Sequence, residues 1–123
     1  MTTPRGEQPG STISTHVLDT ALGSPARGIR VSLHRPSPYG GEAEVGAGVT
    51  DDDGRVRDLL APGQTLPEGT YLLRFETGAY FARSGREGFF PEISVSFLVA
   101  SGSRHYHVPV LLSPFGYTTY RGS

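Results

Sequence analysis

His105–Ser123, HYHVPVLLSPFGYTTYRGS, decides how the rest of the chain is read. Side chains alternate along an extended strand, so Tyr106, Val108, Val110 and Leu112 form an apolar face opposite His105, His107, Pro109 and Leu111. The apolar face needs a core to cover it, and the histidine face should line a groove or an interface. Ser113–Gly116 (SPFG) reverses the chain into a second strand over Tyr117–Arg121. Pro109 cannot donate a ladder hydrogen bond, so the first strand should carry a free edge or a local irregularity there. The run closes on Tyr120, Arg121, Gly122 and Ser123, a phenol, a guanidinium and a hydroxyl in quick succession, which marks the tail as part of a site.

Moving outward, Pro91–Ala100 (PEISVSFLVA) sets Ile93, Val95, Phe97 and Val99 against Ser94 and Ser96. Thr70–Thr77 (TYLLRFET) sets Tyr71, Leu73 and Phe75 against Leu72, Arg74 and Glu76. Further strands are predicted over Ser14–Thr20, Ile29–His34, Ala43–Val49 and Arg55–Leu60, the last entered through the Asp-Gly reversal of Thr50–Gly54. In the second of these, Val31 and Leu33 should be buried and His34 should face water. Ala79–Ser84 is the one place for a helix, of one to two turns. About eight short strands in 123 residues, punctuated by 17 glycines and 10 prolines, predict one all-β domain: a two-sheet β-sandwich with one short helix. The domain should occupy residues 13–123, behind a disordered leader over residues 1–12.

Composition excludes several functions. A net charge of -1 provides no basic stripe for a phosphate backbone, so nucleic acid is not an expected partner. Without cysteine there is neither a disulfide framework nor a thiolate metal site. No apolar run has membrane-spanning length and the first residues lack a secretory h-region, so the expected setting is cytoplasmic, away from any membrane. No Gly-x-Ser-x-Gly elbow or phosphate-cradling loop is present, so a hydrolytic reaction would use water directly.

His105 and His107 point the same way and have the spacing of a metal chelate, but a third ligand would be needed, and no metal is expected. Asp51, Asp52 and Asp53 are consecutive, unlike the alternating ligands of a calcium loop, and read as a solvated turn. Acid–base chemistry is the other use: a histidine titrating near pH 6.5 can activate water, with a second histidine and an arginine to orient and clamp. For any one strand histidine, a surface or interface position is the plain alternative, as a solvated charge is for Arg55.

The segments STHVLDT, DDGR, RFETGAYF and HYHVPVLLSPFGYTTYRGS together resemble the transthyretin-related 5-hydroxyisourate hydrolases of purine catabolism. The resemblance runs from about Ser14 to Ser123, and YRGS is its most specific mark. It implies catalytic roles for His16 in THVLDT, for His107 as the second histidine of HYHVP, for Arg55 of DGR and for Ser123, with Tyr120, Arg121 and Gly122 binding substrate. His105 is then a bystander. The implied fold is the transthyretin-like sandwich, and the implied assembly is a homotetramer, a dimer of dimers with sites at the dimer–dimer interface. The implied reaction opens 5-hydroxyisourate with no cofactor; the alternative is a non-catalytic small-molecule carrier of the same fold.

Overall fold

The computed structural model describes residues 10–123. Nine strands and one helix follow one another as β1 (Thr12–Asp19), β2 (Ser24–Pro25), β3 (Arg30–Pro36), β4 (Glu42–Val49), β5 (Arg55–Val56), β6 (Gly69–Phe75), α1 (Thr77–Arg83), β7 (Ile93–Val99), β8 (His105–Ser113) and β9 (Gly116–Thr119). Most of the expected leader, residues 1–9, lies outside the described residues. Its last two residues are ordered: Ser11 bridges Leu66 and Thr12 opens β1.

Two sheets face each other. One runs β2-β1-β8-β9, with β5 also on β1; the other runs β4-β3-β6-β7. The pairing of β1 with β8 is parallel and unbroken from Thr12 opposite His105 to Asp19 opposite Leu112. The period-2 pattern accounts for the core: Ile13, Val17, Tyr106, Val108, Val110 and Leu112 point inward from the first sheet, and Val31, Leu33, Tyr71, Leu73, Phe75 and Ile93 from the second. Each such side chain contributes about 1.5–3 kcal/mol by leaving water. The outward residues of β1 and β8, Ser14, His16, His105 and His107, are thereby fixed on the opposite face.

His34 does not face water. It is 8% exposed, because β3 is an inner strand between β4 and β6 and a bulge between Leu33 and His34 re-aims the ring. Its Nε2 is hydrogen-bonded to Ser32 Oγ at 2.8 Å, and the Arg74–Glu42 ion pair (2.7 Å) lies alongside. The strand expected over Arg55–Leu60 stops at Val56, and Leu59 and Leu60 lie buried in the irregular segment that follows it. They pass under β4, where a Cβ on Gly46 would strike the Leu59 carbonyl and one on Gly48 would lie 2.6 Å from Val56 Cγ1. The helix begins at Thr77, two residues before the expected start, and buries Thr77, Tyr80 and Phe81.

Pro109 resolves as a free edge. β9 pairs with β8 only from Val110 opposite Thr119 to Ser113 opposite Gly116. At Pro109 the missing N–H costs nothing on that side, and the Pro109 carbonyl accepts from Thr119 Oγ1 at 2.8 Å. Three residues beyond the last pair, the tail closes back on the strand: the Gly122 amide donates to the His107 carbonyl at 2.8 Å.

Candidate active site

The Asp51–Gly54 turn sets the arginine of the site. Asp51 Oδ1 accepts from the amides of Asp53 (2.9 Å) and Arg55 (3.0 Å), bonds that hold its carboxyl below the ordinary value. Gly54 turns at φ +75°, a left-handed conformation where a Cβ would also run into the Val17 carbonyl. The Gly54 carbonyl then accepts from the Val17 amide at 2.8 Å, and Arg55 is delivered opposite His16. Directly paired residues share a face with Cβ atoms about 5 Å apart.

On the other side of β1, Ser14 stands opposite His107. Ser14 Oγ lies 2.8 Å from His107 Nδ1 and 2.8 Å from His105 Nε2, and Thr12 Oγ1 lies 2.7 Å from His105 Nδ1. Together Ser14, Thr15, Arg55, Arg57, His105, His107 and Ser123 line a cavity of about 280 Å³. Partial burial pushes the His107 imidazole below the usual 6.5, and the positive charge of Arg55, with His16 and His105 nearby, pushes the same way; hydrogen bonding to the Ser14 backbone opposes them. His107 therefore stays neutral, and able to accept a proton, to lower pH than a free histidine does.

The candidates from sequence do not all meet here. Arg55, His107 and Ser123 line the cavity, and His16 flanks it on β1. Gly122 packs over His107, where a Cβ would come within 2.6 Å of Cδ2 and 3.1 Å of Pro109 Cγ. Tyr120 and Arg121 do not line the cavity; they face a neighbouring apolar groove of about 410 Å³ with Phe97, Leu98, Tyr106 and Val108, and His107 lines both spaces. Arg121 stacks there on the Tyr106 ring, with Cζ 5.0 Å from its centroid. Thr12, Ser14 and Arg57 were not singled out from the sequence. Their signal is faint: polar residues alternate outward on β1 as on β8, but only the parallel register tells which hydroxyl meets which ring.

A model of the HIUase/Transthyretin family matches residues 13–122. The chain belongs to the HIUase/Transthyretin family. Among its relatives, the 5-hydroxyisourate hydrolase of Mus musculus is 46% identical over 114 residues, covering 92% of this chain and 96% of that protein. The structure of Klebsiella pneumoniae 5-hydroxyisourate hydrolase is similar at 42% identity and a TM-score of 0.79, over 92% of this chain and 94% of the other. Sea bream transthyretin in complex with thyroxine is similar at 33% identity and a TM-score of 0.83, over 90% and 94%. The backbone of this family therefore carries proteins of both names, and the side chains of the cavity have to distinguish them.

Proposed function

We propose that the protein hydrolyses 5-hydroxyisourate to 2-oxo-4-hydroxy-4-carboxy-5-ureidoimidazoline in urate degradation, by direct attack of a histidine-activated water. The relatives named as hydrolases match nearly the whole chain at 40–46% identity, so the chain is an enzyme with hydrolase activity. The observation that carries the mechanism is the neutral-biased His107 set with Arg55 in one cavity. A carrier gains nothing from a base poised beside a cation, whereas hydrolysis needs both.

In this mechanism a water in the cavity gives a proton to His107 as its oxygen bonds to the ring carbonyl carbon. Negative charge gathers on the former carbonyl oxygen, where Arg55 stabilises it. The carbon–nitrogen bond then breaks, the departing nitrogen takes the proton from His107, and the carboxylic acid left behind loses its remaining proton to solvent to become a carboxylate. His16, opposite Arg55, orients the water or the clamp. Ser123 hydrogen-bonds the ring, and Tyr120, Arg121 and Gly122 support it from the tail. Since Tyr120 and Arg121 face an adjoining groove that meets the cavity at His107, their part in binding belongs with the proposal that the protein works as a dimer of dimers with sites at the dimer–dimer interface. Cytoplasmic residence is part of the same proposal; among the described residues, no helix is long and apolar enough to cross a membrane.

The pH profile tests the base. kcat/KM should fall on the acid side with a midpoint below 6.5, because the factors acting on His107 disfavour its charged form. A midpoint above 6.5, or a flat profile across the histidine range, contradicts the assignment. The tail supplies a second test. Gly122→Ala should push the tail off the His107 ring and lower kcat/KM by about tenfold or more, as small misplacements of catalytic groups do. Steady-state kinetics equal to those of the wild type would remove Gly122 from the site.

A further inference from the structure

The His105 ring has no place in the mechanism above, yet both of its nitrogens are engaged. Thr12 Oγ1, His105, Ser14 Oγ and His107 form a continuous hydrogen-bonded row across β1 and β8, with spacings of 2.7, 2.8 and 2.8 Å. The parallel register makes the row: Thr12 is opposite His105 and Ser14 opposite His107, so each hydroxyl meets a ring. We propose that His105 is a positioning residue: acting through Ser14, it holds His107 in the tautomer that carries its proton on Nδ1 and offers the Nε2 lone pair for catalysis. The inference rests on the hydrolase reading.

Ser14 Oγ has one hydrogen and stands between two ring nitrogens, so it donates to one and accepts from the other. If it donates to His107 Nδ1, the His107 proton sits on Nε2 and the ring cannot accept a proton from water. If it donates to His105 Nε2, it accepts from His107 Nδ1–H, and Nε2 is left as the base. Among the described residues, Nε2 of His107 has no protein hydrogen-bond partner, so Ser14 is the group that selects between the two states. Neutral His105 completes the productive state, because its Nε2 accepts the Ser14 hydrogen while its Nδ1–H donates to Thr12 Oγ1. Remove that acceptor and the Ser14 hydrogen is free to turn onto His107.

The experiment compares the full-length wild type with His105→Leu, which lacks an acceptor, and His105→Gln, whose amide oxygen can take the Ser14 hydrogen. The readout is the nitrogen NMR spectrum of histidine-labelled protein well above the ordinary histidine pKa of about 6.5, with the His107 signals assigned by their loss in His107→Asn. The expected wild-type pattern is protonated Nδ1. His105→Leu should shift His107 toward protonated Nε2 and lower kcat by about tenfold or more, short of the full general-base effect of about 10²–10⁴, with KM little changed. His105→Gln should restore both the pattern and most of the rate. A wild-type His107 protonated on Nε2, or a tautomer that is the same in wild type and His105→Leu, overturns the proposal. The spectra need no turnover. Wild-type protein inert toward 5-hydroxyisourate, with the tautomer still lost in His105→Leu, would overturn the hydrolase reading while supporting control of His107 by His105.

Discussion

Replacing His107 by asparagine is expected to lower kcat for 5-hydroxyisourate by about 10²–10⁴, the range that a positioned general base contributes. The amide of asparagine can still bond to Ser14, but it cannot take a proton from water. The loss should fall on kcat more than on KM, because proton transfer belongs to the transition state and not to substrate binding. Folding should be almost untouched. His107 sits on the outer face of β8, and the core behind it is made by Tyr106 and Val108, so a change of about 1 kcal/mol or less is expected from its hydrogen bond. Turnover within a few-fold of wild type would assign the base to another residue, His16 being the next in line.

The largest stability effect is expected far from the cavity, at Asp19. This residue ends β1 and is fully buried, and its carboxylate accepts from Arg86 Nη2 (2.6 Å), from the Tyr80 hydroxyl (2.7 Å) and from the Leu22 amide (3.1 Å). Burial alone would raise its pKa, but the hydrogen bonds from Arg86, Tyr80 and Leu22 outweigh burial and bring it below 3.8. Arg86 lies against the rings of Tyr80 and Phe81, and its Nη1 is buried without a partner among the described residues. Asp19→Ala would therefore strand a guanidinium that already lacks one partner. Breaking a buried pair in this way costs about 3–5 kcal/mol, equivalent to a fall in Tm of roughly 10–20 °C for a chain of this size.

The sign with pH follows from the lowered carboxyl. Its contribution is complete above the unfolded-state value of about 3.9 and is lost as pH falls through the lower folded value. Asp19→Ala should accordingly flatten the acid limb of stability while lowering the plateau at neutral pH. Thermal unfolding at several pH values checks both effects, and a plateau within about 1 kcal/mol of wild type would contradict the buried-pair account. The consequence reaches the site through β1, which carries Ser14 and His16 on the strand that Asp19 anchors.

Much of the fold was legible because period-2 alternation is a strong signal where one face is buried. β6, β7 and β8 carry it, β1 is marked instead by its β-branched content, and the helix after β6 is marked by the loss of that period. The errors have local causes. His34 alternates as an outward residue, and nothing in the spacing reveals the bulge or the Arg74–Glu42 pair that buries it. Leu59 and Leu60 extend a β-rich segment on paper but are buried together in a loop beneath β4.

At the site, the motif resemblance pointed to His16, Arg55, His107 and Ser123, and all four lie on or beside one cavity. The resemblance gave no warning that Tyr120 and Arg121 face an adjoining groove on the other side of His107, since a four-residue tail can be placed only once its path over Pro109 and His107 is known. The sequence reads His105 as a bystander, and its hydrogen bond with Ser14, some ninety residues earlier, is not visible there, because a parallel pairing over that separation leaves no mark in either strand alone.

Hydrolysis of 5-hydroxyisourate by this chain is tested most directly by ultraviolet decay of the freshly prepared compound, measured with and without the purified protein. Decay should be faster than the spontaneous rate, in proportion to protein concentration. Decay at the same rate with and without the protein would contradict it.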